Sequence, residues 1–457
     1  MRQKIRQIMG MLSSIDMTTG TPWKKLLVFT IPMVLGNLFQ QMYGIVDMII
    51  LGHFVGDDAL AAVGSTIPLF FLLLVLMIGV ATGAGIMVSQ YFGANRHDEL
   101  SFTIGTCLTL ATVLGVLMMI IAPFFTRPML ILLDTPPEIL DDAVTFINIQ
   151  LWGILGFMYF NIIAGILRGL GDSLWPLVFL ALASVLNIVL DIVFIPIMGM
   201  GVAGAALATI VVQFIASILC MIRLMQMRNI FDFKLHHLRP KRRYALQLLK
   251  LGLPTGAQQG IFAVAMMIVQ PLVNGFGPLL IATNVIIMRI DGFVMMPNFS
   301  FGNTMTVFTG QNIGARKLDR VKQGTKEGAI MAMGTAFVLV ILILIFGRHV
   351  AGAFTDTQEV IDLSVQMIRI LAVGYVIFAL NMIVWGVIRG AGDAITPLWT
   401  AFVSTALIRV PSAYLFVHLM GEPEALYYSL LLGWIVITIF GLIAYRVGNW
   451  RTKGIVS

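Results

Sequence analysis

The sequence contains the segment ILRGLGDSLWPL at residues 166–177 and a second version of it, VIRGAGDAITPL, at residues 387–398. Six of the twelve positions are identical at a constant separation of 221 residues. A further pair, SQYFGAN at 89–95 and GQNIGAR at 310–316, recurs at the same separation. An internal repeat of this length indicates a chain built from two similar halves, which can be compared position by position.

The composition is that of a protein that crosses a membrane many times. Hydrophobic residues make up 59% of the 457 residues, charged residues only 11%, and the mean hydropathy is +0.95. A soluble domain carries about 25% charged residues. We therefore predict an all-α integral membrane protein with twelve transmembrane helices, six in each half of the repeat. With six spans per half, both halves start on the same side, which predicts a pseudo-two-fold axis along the membrane normal.

The basic residues predict the orientation of the chain in the membrane. Only Arg127 and Arg348 fall in predicted outer loops, and most other basic residues lie on the opposite side. By the positive-inside rule, both termini are cytoplasmic, in a multi-pass protein of the plasma or inner cell membrane. The predicted divisions are a cytoplasmic N-terminal segment (1–23), a first lobe (24–226), a basic cytoplasmic linker (227–245), a second lobe (246–450) and a tail (451–457).

The same distribution accounts for the net charge of +7 without a nucleic-acid partner. The basic linker is expected to be solvated or to contact anionic lipids. In the repeated turns, the glycines suit helix C-caps, and Asp172 and Asp393 suit the start of the next helix. We interpret these two acids as structural.

Three acids lie within predicted spans, where an ionisable side chain is costly and usually functional. Asp47 lies on a polar stripe that also contains Asn37, Gln40, Gln41 and Gly44 at helical spacing. Asp191 has Asn187 one turn before it, so the two side chains share a helix face. Asp291 has Arg289 close by on its own helix. A structural ion pair between them explains Asp291 at least as well as a functional role does.

Two carboxylates with neutral oxygens around them can hold a small hard cation or a proton. The competing interpretation is that Asn187 and Asp191 only form hydrogen bonds between helices. The repeat does not duplicate these residues, because a shift of 221 places Asn187 and Asp191 on Ile408 and Ser412. Cation binding is therefore expected in the first lobe.

Several of these segments together resemble the multidrug and toxic compound extrusion (MATE) family, in its DinF-like branch, over nearly the whole chain. The resemblance rests on the following: IPMVLGNLFQQMYGIVDMIILGHFVG at 31–56, LAAVG at 60–64, SQYFGAN at 89–95, both RGxGD turns, LNIVLDIVFI at 186–195, GVAGAALAT at 201–209 and TGQNIGAR at 309–316. It implies twelve transmembrane helices in two six-helix bundles. It also implies a cation-coupled multidrug efflux antiporter, which exports organic, often cationic and aromatic compounds in exchange for H+ or Na+ by alternating access.

The resemblance also implies roles for individual residues. Asp47, Asn187, Asp191 and Thr209 match positions that form a cation site in the first lobe of similar proteins. Pro32 matches a proline associated with bending of the first helix, and a proline there removes a helix hydrogen bond. Gln40, Tyr43 and Asn161 are candidate residues of the substrate cavity.

The alternative function is a flippase for lipid-linked precursors, which has the same general architecture. Such a protein needs a strongly cationic cavity, and only Arg289, Arg369 and Arg409 lie within predicted spans. An enzyme is not expected, because no histidine lies in the middle of a span and no nucleophile–base pair is evident. We expect no cofactor, and no metal other than the coupling ion. The expected partners are membrane lipids and small organic compounds, and the protein is expected to be a monomer.

Overall fold

The structure, a computed structural model, describes residues 15–227, 230–231 and 234–456. Parts of the predicted N-terminal segment, linker and tail, namely residues 1–14, 228–229, 232–233 and 457, lie outside the described residues. Within the described ranges the chain is helical and contains no strand. The prediction of an all-α membrane protein is confirmed.

The chain forms two compact units, and the first comprises residues 1–16 and 31–256, as far as they are described. Its helices are α1 (Pro22–Phe54, from Ile31 onward), α2 (Asp57–Gly93), α3 (His97–Leu132), α4 (Pro137–Trp152), α5 (Ile154–Gly169), α6 (Leu174–Ile192) and α7 (Gly201–Gln226). A π-helical turn, Val193–Ile197, follows α6, and a 3-10 turn, Leu235–Leu238, lies in the linker. The start of α8 (Arg242–Gly275) completes this unit.

The second unit comprises residues 17–30 and 257–457, again as far as they are described. After the remainder of α8 it contains α9 (Pro278–Gly314), α10 (Leu318–Gly352), α11 (Gln358–Gly390), α12 (Ile395–Phe402), α13 (Val410–Met420) and α14 (Glu424–Val447). A π-helical segment, Val403–Arg409, joins α12 to α13. A 3-10 turn, Asn449–Thr452, follows α14.

Eleven helices of the described chain are long and apolar enough to cross a membrane. A twelfth span results if α4 and α5, which meet at Gly153 with a bend of 52°, are counted as one. The π-helical segments are counted within the spans Leu174–Ile197 and Ile395–Met420. The count therefore agrees with the predicted twelve helices.

The predicted lobe limits follow the loops, whereas the two units divide α1 and α8 within the helix. The start of α1 packs in the second unit, where Leu26 and Phe29 are fully buried and Thr30 donates a hydrogen bond to Thr304 at 2.9 Å. The start of α8 packs in the first unit, because Gly252 contacts the backbone of α2. A loop changes the local composition of the sequence, but the packing of a helix end against one unit does not. The sequence therefore does not show where the two units divide α1 and α8.

The repeat also appears in how the central helices of each unit cross. In the first unit, a Cβ atom on Gly165 or Gly169 of α5 would lie 2.6 Å or 2.8 Å from a backbone carbonyl oxygen of α2. In the second unit, a Cβ on Gly386 or Gly390 of α11 would lie 2.4 Å from a carbonyl oxygen of α9 in each case. Gly386 and Gly390 follow Gly165 and Gly169, respectively, by 221 residues. Each of the four glycines lets two helix backbones touch.

In both repeated turns the aspartate accepts a hydrogen bond from the start of the next helix, as predicted. Asp172 accepts a hydrogen bond from the Trp175 backbone N–H at 3.2 Å and forms an ion pair with Arg223 at 2.8 Å. Asp393 accepts from the Thr396 N–H at 3.1 Å and pairs with Lys453 at 2.7 Å. Burial is the largest influence on Asp172 and raises the pKa of its carboxyl, against the lowering effect of these bonds. The structural interpretation of both acids is confirmed.

The N-terminal residues 17–20 are part of the second unit. Met17 is fully buried, and its N–H donates to the Gln311 side chain at 2.9 Å. Its carbonyl accepts from Asn312 at 3.1 Å and from Arg320 at 3.0 Å. Arg320 also donates to the carbonyl groups of Thr19 and Gly20. The repeated GQNIGAR segment at 310–316 thus supplies side chains that hold the strap of residues 17–20.

Candidate functional site

The acids of α1 and α6 meet inside the first unit. Asp191 and Asn187 are both fully buried, and Asp47 is partly buried. The carboxyl groups of Asp47 and Asp191 lie side by side, close enough to share a hydrogen bond. Two acids 144 positions apart in the chain are therefore brought to one point, as a shared cation site in the first lobe requires.

Asn187 positions the carboxylate of Asp191. With the amide assigned from its neighbours, the nitrogen donates to Asp191 Oδ2 at 2.9 Å and the oxygen accepts from the Thr209 backbone N–H at 3.3 Å; the opposite orientation forms neither bond. The pair shares a helix face, as the spacing predicts, but the amide oxygen faces α7 and not the carboxylates. In this arrangement the oxygens available to a cation are those of the two acids.

Tyr43 joins the same cluster from α1. Its hydroxyl lies 3.2 Å from Thr209 Oγ1, and Thr209 Oγ1 donates to the Ala205 carbonyl at 3.1 Å. Because a threonine hydroxyl has a single hydrogen, Tyr43 is the donor in its bond with Thr209. Tyr43 and Thr209 thus link α1 to α7 beside the acids.

The carboxylates are incompletely satisfied. Asp47 Oδ1 and Asp191 Oδ1 are buried, and neither accepts a hydrogen bond from any residue that the structure describes. Buried polar atoms are almost always paired, and an unpaired buried charge is especially costly. Two such oxygens on neighbouring carboxyl groups form a place for a proton or a small cation.

The local backbone beside the acids is irregular. The π-helical turn Val193–Ile197 starts two residues after Asp191 and contains Pro196, which has no N–H to donate. π-Helical turns are rare and occur frequently at functional sites. Sequence periodicity did not reveal this turn.

The other candidate residues lie apart from the hydrogen-bonded cluster. Gln40 is exposed on α1, and the Asn161 amide donates to the Phe157 carbonyl of its own helix at 2.9 Å. Pro32 is buried in α1, fifteen residues before Asp47. The cavity role of Gln40 and Asn161 and the hinge role of Pro32 stay predictions.

Comparison with known proteins gives a consistent result for both halves. The MatE family model matches residues 32–193 and again residues 254–415, once in each half of the repeat. The chain is 29% identical over 450 residues to the probable multidrug resistance protein YoeA of Bacillus subtilis strain 168, covering 95% of each chain. It is also 29% identical to the probable multidrug resistance protein YpnP of the same organism, covering 96% of this chain and 98% of that one.

A solved structure agrees over nearly the full length. It is described as the outward-facing conformation of a multidrug resistance MATE family transporter of the MOP superfamily. The TM-score is 0.89 at 26% identity, covering 95% of this chain and 97% of that chain. The assignment to the DinF-like branch stays a prediction.

Proposed function

Because the chain belongs to the MatE family of transporters, we propose that it exports drug-like organic compounds across the cell membrane in exchange for H+ or Na+. As a member of this family it is a transporter and not an enzyme. Export of drugs is supported by the two relatives named as probable multidrug resistance proteins. Cation coupling and antiport are supported by the chemistry of the first unit.

The pair of unsatisfied carboxylate oxygens on Asp47 and Asp191 is the observation that carries this proposal. A proton or Na+ that binds there removes the mutual repulsion of two neighbouring carboxylates. Asn187 keeps Asp191 in place, and Tyr43 ties α1 to α7 through Thr209. The ion therefore acts on a point where three helices of the unit are held together.

Coupling follows from a competition between two states. The ion stabilises the arrangement in which α1 lies against α6 and α7, and the drug stabilises another arrangement of the same helices. A ligand shifts such an equilibrium only by its difference in affinity for the two states. Pro32 gives α1 a position at which a helix hydrogen bond is missing, so that α1 can bend there. The drug is then released outside as the ion binds.

The test is efflux from proteoliposomes that carry either a Na+ gradient or a pH gradient. We expect one of the two gradients to drive drug movement in the wild-type protein. Asp47→Asn and Asp191→Asn each remove a negative charge while keeping the side-chain shape, and both should abolish gradient-driven movement. Asp141→Asn is the matched control, because Asp141 is an exposed acid paired with Arg127 outside the cluster.

The outcomes separate the parts of the proposal. Movement at the wild-type rate in either Asn variant contradicts the ion site. Movement that neither gradient accelerates in the wild-type protein contradicts cation coupling. The Asn variants should retain the elution profile and thermal stability of the wild type, which distinguishes lost coupling from lost folding.

A further inference from the structure

An apolar groove of about 320 Å³ lies in the first unit between α2 and α3. On α2 it is lined by Leu69, Leu72 and Leu73, and on α3 by residues between Leu114 and Met129. Both stretches lie inside helices that are long and apolar enough to cross a membrane. The groove is therefore at the depth of the lipid hydrocarbon, and none of its lining residues belongs to the carboxylate cluster.

The way in which α5 holds its neighbours leaves this gap. α2 touches the backbone of α5 beyond the groove, where a Cβ atom on Gly165 would lie 2.6 Å from the Ala81 carbonyl oxygen. α3 touches α5 at Gly115, where an added Cβ would lie 2.5 Å from Leu155 Cδ2. Pro68 in α2 and two prolines in α3 also interrupt the helix hydrogen bonds beside the groove. The two helices thus pack on α5 at different levels, with open space between them.

The lining offers no free polar group. Thr126 is the one polar side chain among the lining residues that the structure describes, and its hydroxyl donates to the Ala122 carbonyl at 3.2 Å. Sites for drug-like molecules usually combine apolar walls with a few polar groups that orient the ligand. A wall without such groups suits a plain hydrocarbon chain.

The groove continues the apolar surface that the unit exposes. Leu72 of α2 is 53% exposed, and Leu117 and Phe125 of α3 are 47% and 57% exposed. Large exposed apolar surfaces of this kind mark contact with a membrane. Leu114 and Met129 are 15 residues apart, about 22 Å along the helix, and one leaflet of the hydrocarbon core is about 15 Å thick. A lipid chain therefore has both access to the groove and room along it.

The other half of the repeat has a larger side chain at the corresponding place. A shift of 221 places Ile343 of α10 on Ala122 of α3. Ile343 packs against the buried core of the second unit. Ala122 adds no such bulk, and an apolar space of this kind does not hold water. The groove in the first unit is thus left to an apolar molecule.

We propose that one acyl chain of a membrane phospholipid occupies this groove as a resident ligand, between Leu73 of α2 and Ala122 of α3. The chain completes the packing of α2 against α3. It is held by van der Waals contact and not by charge, as are helices that pack within a bilayer. This lipid site goes beyond the proposed transport function and does not depend on the carboxylate cluster.

The test is photolabelling in vesicles of phosphatidylcholine and phosphatidylglycerol. A small amount of phosphatidylcholine carries a diazirine in the middle of one acyl chain, and labelled peptides are identified by mass spectrometry after illumination. Residues 69–73 and 114–129 should carry more label than the comparably exposed apolar surface of α10 around Phe337. In Ala122→Phe the added ring occupies the groove, so the label on these segments should fall to the α10 level.

Ala61→Phe is the matched control, because Ala61 is an exposed residue of α2 that does not line the groove. It should keep the wild-type labelling, and so should Asp47→Asn, whose loss of transport leaves the lipid site intact. Label spread evenly over the exposed apolar helices of the wild-type protein would overturn the proposal without reference to any variant. Undiminished label in Ala122→Phe would also overturn it. Loss of label on addition of the lipophilic cation tetraphenylphosphonium would assign the groove to a drug and equally overturn it.

Thermal unfolding in detergent gives a second measurement. Phosphatidylcholine added at about five times its Kd should raise the Tm of the wild type and of Ala61→Phe by about 2–4 °C, for a unit of about 200 residues. Ala122→Phe should respond less than half as strongly, because its groove is already filled. An equal response of both variants would show that the lipid acts elsewhere and would refute the site.

Discussion

Replacing Gly386 with alanine tests the crossing of α9 and α11, and its effect can be worked out from one distance. The new Cβ would lie 2.4 Å from the Gly302 carbonyl oxygen and 2.8 Å from Met305 Cβ. An ordinary carbon–oxygen contact begins at about 3.3 Å, so the two backbones must separate by about 0.9 Å. Overpacking of this kind costs about 1–3 kcal/mol. For a unit of about 200 residues, that lowers Tm by about 2–12 °C.

The measurement is the thermal unfolding of the purified protein in detergent. Gly334→Ala in α10 is the control, because no atom lies within 4 Å of the added Cβ and alanine favours a helix by up to about 1 kcal/mol. The control should therefore unfold at the wild-type temperature or slightly above it. A Gly386→Ala protein as stable as Gly334→Ala would refute the inference that backbone contact sets this crossing.

Two further substitutions test named contacts. Tyr43→Phe removes the 3.2 Å hydrogen bond to Thr209. It should raise the half-saturating concentration of the driving ion by about two- to tenfold, the effect of one lost hydrogen bond. An unchanged concentration would show that Tyr43 takes no part in coupling. Arg223→Met leaves the fully buried Asp172 without its ion pair and should cost about 3–5 kcal/mol in unfolding measurements. Lys453→Met, at the matching but half-exposed pair with Asp393, should cost about 1 kcal/mol or less, and the reverse order would contradict this account.

Much of the fold could be predicted from the sequence because the signals are local or repeated. Long apolar runs predict the spans, and the RGxGD repeat predicts the turns that Asp172 and Asp393 hold. The helical spacing of Asn187 and Asp191 predicts their shared face. These features depend on residues within a few positions of one another, so a single chain reveals them.

What the sequence could not show depends on contacts between distant segments. The partner of Asp291 is a tyrosine 84 residues away, and the hydroxyl of Tyr43 meets a threonine 166 residues away. The glycines at 165 and 386 lie against backbone carbonyl groups, which every residue has, so the sequence does not identify their partners. The orientation of the Asn187 amide depends on the backbone of α7, which spacing along α6 does not report.

The strap of residues 17–20 sets an order of events during synthesis. Met17 is made before Arg320, which binds its carbonyl and follows 303 positions later. At about 5–20 residues per second, ribosomes need about 15–60 s to cover that distance. Until residue 257 is made, the strap and the start of α1 have none of the partners that the rest of the second unit provides. The second unit is thus assembled from segments that are made far apart in time, and its folding can finish only after Arg320 has been made.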